Sequence, residues 1–263
     1  MTEEPMQDLP PFKGGWIQDV AVALVFLTRL PIRPGFTFGM GALRTACRAF
    51  PLVGLIVGGL SGTLYVLATM FGLPSLVAAL IAIAAQVMLT GALHEDAIAD
   101  VADGFGGGTD RDSKLTIMRD SHVGTYAVVT LILVIGIKAA AISEIEDPLM
   151  VFALLVAASS ISRGLMGWAL YLLPPARDDG LGRGAGQPEI MAVLGATLLT
   201  VLIAILILGA SIGAIALLAA IIGAALIGAV AYRQIGGQTG DVLGAVQQIS
   251  ELFILLACVA IIG

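Results

Sequence analysis

Seven stretches of this chain are apolar for long enough to cross a lipid bilayer: residues 51–70, 75–93, 123–142, 149–173, 190–208, 211–232 and 242–262. A spanning helix needs roughly 17–25 apolar residues. Inside hydrocarbon every backbone N–H and C=O must be paired within the protein, which leaves helices as the fitting form for such runs. The whole chain agrees: 58% of its 263 residues are hydrophobic and 12% are charged, and its mean hydropathy is +1.00. A soluble domain carries about 25% charged residues. The expected fold is therefore all-α, a polytopic membrane helix bundle of six or seven crossings. Residues 16–30 form a shorter apolar helix, with Asp19 inside it and Arg29 at its end. It either spans or lies as an interfacial or re-entrant helix. Residues 16–263 read as one membrane-embedded catalytic domain, behind a mobile acidic tail over residues 1–15 that lacks the basic start of a signal peptide.

Other features narrow the class. A net charge of −6 argues against a nucleic-acid partner, which would call for a basic patch. Cys47 and Cys258 lie far apart with no second Cys or His near either, so both read as buried thiols. Gly54, Gly58 and Gly62 recur every four residues and share a helix face suited to close packing. Arginines and lysines fall in alternate loops, in residues 29–48, 92–121, 174–189 and 233–241. The intervening turns have none. Basic loops stay in the cytoplasm, so all the long polar loops are expected on the inner face of the cell membrane.

Residues 92–121 form the one long polar run, with Glu95, Asp96, Asp100, Asp103, Asp110, Asp112 and Asp120 among the chain's 19 acidic residues. A helix brings positions 96, 100 and 103 within an arc of about 60°. Carboxylates so aligned repel unless a cation sits among them. Hard oxygen ligands favour Mg²⁺, Ca²⁺ or Mn²⁺, and Mg²⁺ commonly shares its shell with substrate phosphates. The glycines at 104 and 106–108 free backbone N–H groups for an anion, and Arg111, Lys114 and Arg119 add positive charge. The competing view is a solvated acidic loop. On spacing alone His94 is structural, and Glu95 and His122 are unremarkable. Arg163 and Glu251 each lie about 15 Å inside their helices; such charges are costly and are expected as supporting partners in the bundle. Asp241, Gly244, Gln248 and Glu251 share one face of the last helix. Lys138 is expected to snorkel to the outer boundary.

The stretch HEDAIADVADG resembles the motif His-x-Asp-Gly-x-x-Asp-x-x-Asp-Gly of the cobalamin synthase (adenosylcobinamide-GDP ribazoletransferase) family. His94, Asp96, Asp100, Asp103 and Gly104 match it, and Ala97 stands where the family usually has glycine. FLTRLPI (26–32), FPLVGL (50–55), IMRDSHVGT (117–125), SR (162–163), PPARDDGLG (174–182) and GGQTGDVLGA (236–245) match in order. The resemblance implies a Mg²⁺-dependent reaction of adenosylcobinamide-GDP with α-ribazole or its 5′-phosphate, giving adenosylcobalamin or its phosphate and GMP. On that reading Asp96, Asp100 and Asp103 hold the metal, and Lys114, Arg119, Arg177 and Arg183 hold phosphates. Asp241, with His94 second, takes the hydroxyl proton. Which acceptor is used, and whether copies of the chain associate, stay open. A CDP-alcohol phosphotransferase would show Asp-Gly-x-x-Ala-Arg, whereas here the register is Asp96-Ala-Ile-Ala-Asp100. A prenyltransferase, or a cation- or proton-coupled transporter using Arg163 and Glu251, completes the alternatives; no inverted repeat supports the last.

Overall fold

The structure, a computed structural model, describes residues 10–263; most of the expected tail lies outside them. The elements are α1 (Trp16–Leu27), α2 (Leu43–Ala46, between two 3₁₀ turns), α3 (Phe50–Met70), α4 (Ser75–Thr90), α5 (Leu93–Gly107), α6 (Arg111–Ile117), α7 (Thr125–Ser143), α8 (Pro148–Leu172), α9 (Gly180–Ala185), α10 (Ile190–Ile235) and α11 (Gly240–Ile262). Among the described residues there is no strand, only two isolated bridges. Five helical runs are long and apolar enough to cross a membrane, and the bent α4–α5 pair gives a sixth. The protein is a multi-pass membrane protein. Its outer face is accordingly apolar, with Met88, Ile132, Leu198 and Leu206 exposed.

The 46 residues of α10 would run about 69 Å as a straight helix, against about 30 Å of hydrocarbon. They do not run straight. Gly209 has φ 76° and ψ 168°, outside the helical region. A methyl built on Gly213 would lie 2.7 Å from the Ala204 carbonyl oxygen, a contact that needs the chain to reverse. The two arms match the two apolar runs expected at 190–208 and 211–232.

Helix α8 is the most buried of the long helices, and α10 the least. The α3 glycines meet α8 on successive turns. Methyls built on Gly54 and Gly58 would lie within 2.4 Å of Ser160 Cα and 2.6 Å of Val156 Cα, and one on Gly62 within 3.1 Å of Phe152 Cα. The numbering falls on α8 as it rises on α3, so the two helices are antiparallel and pack backbone to backbone, as the glycine spacing predicts.

Helix α1 has 12 residues, about 18 Å, and is too short to cross. It packs through Val22 and Leu27 with Leu43 and Phe50. Its buried Asp19 pairs with Arg48 and accepts a hydrogen bond from Thr45 Oγ1 at 3.0 Å.

The basic loops meet at one end of the bundle. Arg44 donates to the Gln187 carbonyl at 3.2 Å. The Gln238 amide donates to the Pro174 carbonyl at 2.8 Å. Arg111 Nε donates to the Ile235 carbonyl at 3.0 Å, and its Nη2 to that of Ala176. The segments that the charge pattern assigns to one aqueous face therefore touch one another.

Candidate active site

Helix α4 ends at Gly91 (φ 65°) and Ala92 (φ 59°), both left-handed. Ala92 is the single non-glycine residue with positive φ among the described residues. Such a conformation costs roughly 1–2 kcal/mol and marks a turn that its surroundings enforce. The chain bends by 91° there, and α5 then runs antiparallel beside α11, from Glu95 at Gln248 to Asp100 by Asp241 at the start of α11. That course brings Asp100 to the polar end of the bundle, where α11 begins.

The three stripe carboxylates have different surroundings. Asp96 is exposed and Asp100 half-buried. Asp103 is buried, and its Oδ2 and Oδ1 accept the amides of Gly124 at 2.6 Å and Ala127 at 2.9 Å. It thereby caps α7 from a neighbouring helix, satisfying donors that the helix itself cannot. Among the described residues no three His, Cys, Asp or Glu side chains stand ready to hold an ion.

Asp241 joins the stripe from α11. Thr239 caps that helix by accepting from the Val242 amide at 3.3 Å, and its hydroxyl donates to Asp241 Oδ2 at 3.1 Å. Arg177 Nη2 also reaches Asp241 Oδ2, at 3.4 Å. The helices approach closely where Gly244 meets Ala97: a methyl on Gly244 would lie 2.4 Å from Ala97 Cβ. The Ala97 departure from the motif is thus matched by Gly244, whose missing side chain leaves room for the Ala97 methyl. Gly237 is equally constrained, since a methyl there would lie 2.0 Å from the Pro174 carbonyl oxygen. Burial, then the charges of Asp96, Asp241 and Asp103, raise the Asp100 carboxyl to about 7 against the partial relief of Arg177. A carboxyl so surrounded is the environment a divalent cation relieves.

The expected phosphate ligands are distributed unevenly. Lys114 Nζ donates to Gln234 Oε1. Arg119 pairs with Asp179. Arg177 is at Asp241, whereas Arg183 lines a different cavity, beside Tyr171 and Gln187. Arg111 ties α6 to both neighbouring loops through backbone carbonyls; nothing local in the sequence marks those partners. His122 stands exposed, its Nδ1 2.6 Å from Asp120 Oδ1, and the unremarkable reading suits it.

Beneath the stripe lies a buried polar network. Lys138 is 3% exposed and does not snorkel: its Nζ donates to Gln248 Oε1 at 2.7 Å and pairs with Glu251 at 3.4 Å. It turns inward because Glu251 faces it across the bundle, whereas position along the helix had suggested the boundary. Glu251 also accepts from Gln247 Nε2 at 2.6 Å. Arg163 donates to the Ser159 carbonyl at 2.9 Å and lies in the field of Glu251 and Glu95 without bonding either. Glu95, read as unremarkable, accepts from Gln248 Nε2 at 2.9 Å and links the stripe to this network. His94 is 1% exposed, with Arg163 and Lys138 acting on it. Protonating it would add a third cation to that pair, which weighs against it as the base.

The family model for cobalamin-5-phosphate synthase matches residues 19–259. The chain belongs to that family. It is 45% identical over 241 residues to the adenosylcobinamide-GDP ribazoletransferase of Mesorhizobium japonicum, covering 91% of this chain and 92% of that one. It is 41% identical to the protein of the same name from Bradyrhizobium diazoefficiens, covering 93% and 94%. A Sinorhizobium relative of that name is 40% identical over 93% of this chain and 97% of its own. No solved structure matches. The family match takes in α5, both neighbouring loops and α11, so the whole acidic site falls within it.

Proposed function

We propose that this membrane enzyme transfers the cobinamide-phosphate portion of adenosylcobinamide-GDP to α-ribazole or its 5′-phosphate and releases GMP. The acceptor's ribose hydroxyl attacks the phosphorus attached to cobinamide. The bond from that phosphorus to the bridging oxygen breaks, and the bridging oxygen leaves with GMP. The hydroxyl proton passes to a base, a role we assign to Asp241. Phosphoryl transfer asks the protein mainly for positioning and charge compensation. The observation that carries this reading is the convergence of Asp100, Asp96 and Asp241 beside Arg177, from three separate segments, at the polar end.

The donor set suits Mg²⁺, with oxygen ligands only and negative charge to spare. Asp96 and Asp100 would hold it, with Asp241 adjacent; Asp103 would support them from α5, where it also clasps the start of α7. Bound there, Mg²⁺ would supply Lewis-acid stabilisation to a diphosphate. Arg177 holds Asp241 in place, and Arg119 and Lys114 stand on α6 and the turn after it. By the positive-inside rule this end faces the cytoplasm.

The test is purified protein in detergent with adenosylcobinamide-GDP and α-ribazole, with Mg²⁺ or with EDTA, assayed for GMP. Mg²⁺-dependent release is expected. Full Mg²⁺-dependent activity in Asp100→Ala would remove the metal assignment.

A further inference from the structure

Two cavities open side by side at the polar end, and Pro175 lines both. The first, about 470 Å³, is walled by Arg111, Arg119 and Arg177 together with Asp178 and Asp179. The second, about 530 Å³, is walled by Leu170, Tyr171, Leu173, Pro174, Arg183 and Gln238. Both volumes fall in the range of small-molecule sites, roughly 300–1,000 Å³. Their chemistry differs. The first is a polar cleft with three guanidinium groups. The second sets an apolar wall of Leu170, Tyr171 and Leu173 against a polar side with one guanidinium, Arg183, beside Gln187 and Gln238.

We propose that the second cavity is the acceptor subsite: it takes the aromatic base of a nucleoside against Tyr171, Leu170 and Leu173, and Arg183 binds a 5′-phosphate. This assignment rests on the transferase reading above. Four observations carry it. Tyr171 is set edge-on to Trp168, with ring centroids 6.1 Å apart at 89°, so one aromatic wall is held in place before a ligand arrives. Arg111, Arg119 and Arg177 each already pair with a carboxylate, while Arg183 is exposed and has no ion pair among the described residues. A free guanidinium facing an apolar wall in a half-polar cavity matches a phosphate monoester on a flat base. Finally, the loops are stitched where the cavities meet: Pro175 bridges to Gln238, and Gln238 leads directly through Thr239 to Asp241. An acceptor in the second cavity and a diphosphate donor in the first would thus flank the candidate base. Sharing one cavity would instead crowd every phosphate together.

The experiment compares GMP release from adenosylcobinamide-GDP with α-ribazole and with α-ribazole 5′-phosphate, in wild type, Arg183→Gln, Arg183→Lys and Tyr171→Ala. For Arg183→Gln the kcat/KM ratio of phosphorylated to unphosphorylated acceptor is expected to fall about tenfold, the loss of roughly one charge-assisted contact. Arg183→Lys should recover part of that ratio. Tyr171→Ala should raise KM for both acceptors and leave the donor's KM in place. An unaltered ratio in Arg183→Gln, an equal loss with both acceptors, or a change confined to the donor's KM overturns the subsite. Wild-type protein that releases no GMP with either acceptor overturns the transferase reading itself, and the subsite falls with it.

Discussion

Asp103 on α5 accepts the Gly124 amide at 2.6 Å at the start of α7, two elements further along the chain. A second bond, from the Ala127 amide at 2.9 Å, occupies its other oxygen. The glycine is required: a methyl at 124 would lie 2.6 Å from Asp103 Oδ1. Asp103 is therefore as much a clasp between two helices as a member of the acidic stripe. Asp103→Ala should destabilise the protein by about 1–2 kcal/mol, the typical cost of losing a cap. Asp96→Ala, at an exposed position, should not. Thermal unfolding in detergent with EDTA separates them; equal melting temperatures for the two variants would refute the clasp.

Burial and the neighbouring carboxylates of Asp96, Asp241 and Asp103 push the Asp100 carboxyl up to about 7, from an ordinary 3.8. A carboxyl raised on folding favours the folded state below its unfolded pKa, and that contribution disappears as pH climbs through the folded one. Metal-free protein should accordingly melt at a higher temperature at pH 5.5 than at pH 8. Mg²⁺ must displace the proton, so its affinity should strengthen with pH up to about 7 and then level off. Calorimetric titration across that window, with Asp100→Asn as the comparison, measures this. The variant should lose the pH dependence of binding; if it keeps the wild-type profile, another group is responsible.

Gly244 and Ala97 lie back to back where α11 crosses α5. The space holds one methyl, and Ala97 fills it. Gly244→Ala should cost about 1–3 kcal/mol through overpacking and lower GMP release by moving Asp96 relative to Asp241. Adding Ala97→Gly returns the methyl count to one. The double variant should recover most of the activity, less the roughly 1 kcal/mol helix penalty of glycine. Additive losses in this cycle would show that the two positions do not share the space.

These cases show which features are legible in the sequence. The glycine face of α3 and the stripe of α5 could be read because each lies within one helix, where spacing alone sets the geometry. The reversal at Gly209 could be read because both arms are apolar and little joins them. The clasp at Asp103 could not, since its partners lie 21 and 24 residues away and are backbone amides, which no residue type announces. Arg177 and Arg183 look equivalent in one glycine-rich loop. They part because the bridge from Pro175 to Gln238 divides that loop between two cavities. Lys138 was placed by its distance along α7, which sets depth but not facing; what it faces depends on Gln248 and Glu251 of a helix more than 100 residues later.

That pairing gives the last test. Lys138 and Glu251 are both nearly solvent-free and 3.4 Å apart, with Arg163 and Glu95 completing two positive and two negative charges in one network. Removing one partner of a buried pair typically costs about 3–5 kcal/mol, because the other is left uncompensated. Lys138→Met alone should lower the melting temperature sharply, and Glu251→Gln alone should do the same. The double variant restores neutrality and keeps Gln248 free to donate to Glu95, so it should melt closer to wild type than either single change. It should also retain GMP release, since the reacting groups sit at the polar end above it. A double variant no more stable than the worse single one would mean that each charge serves a different partner.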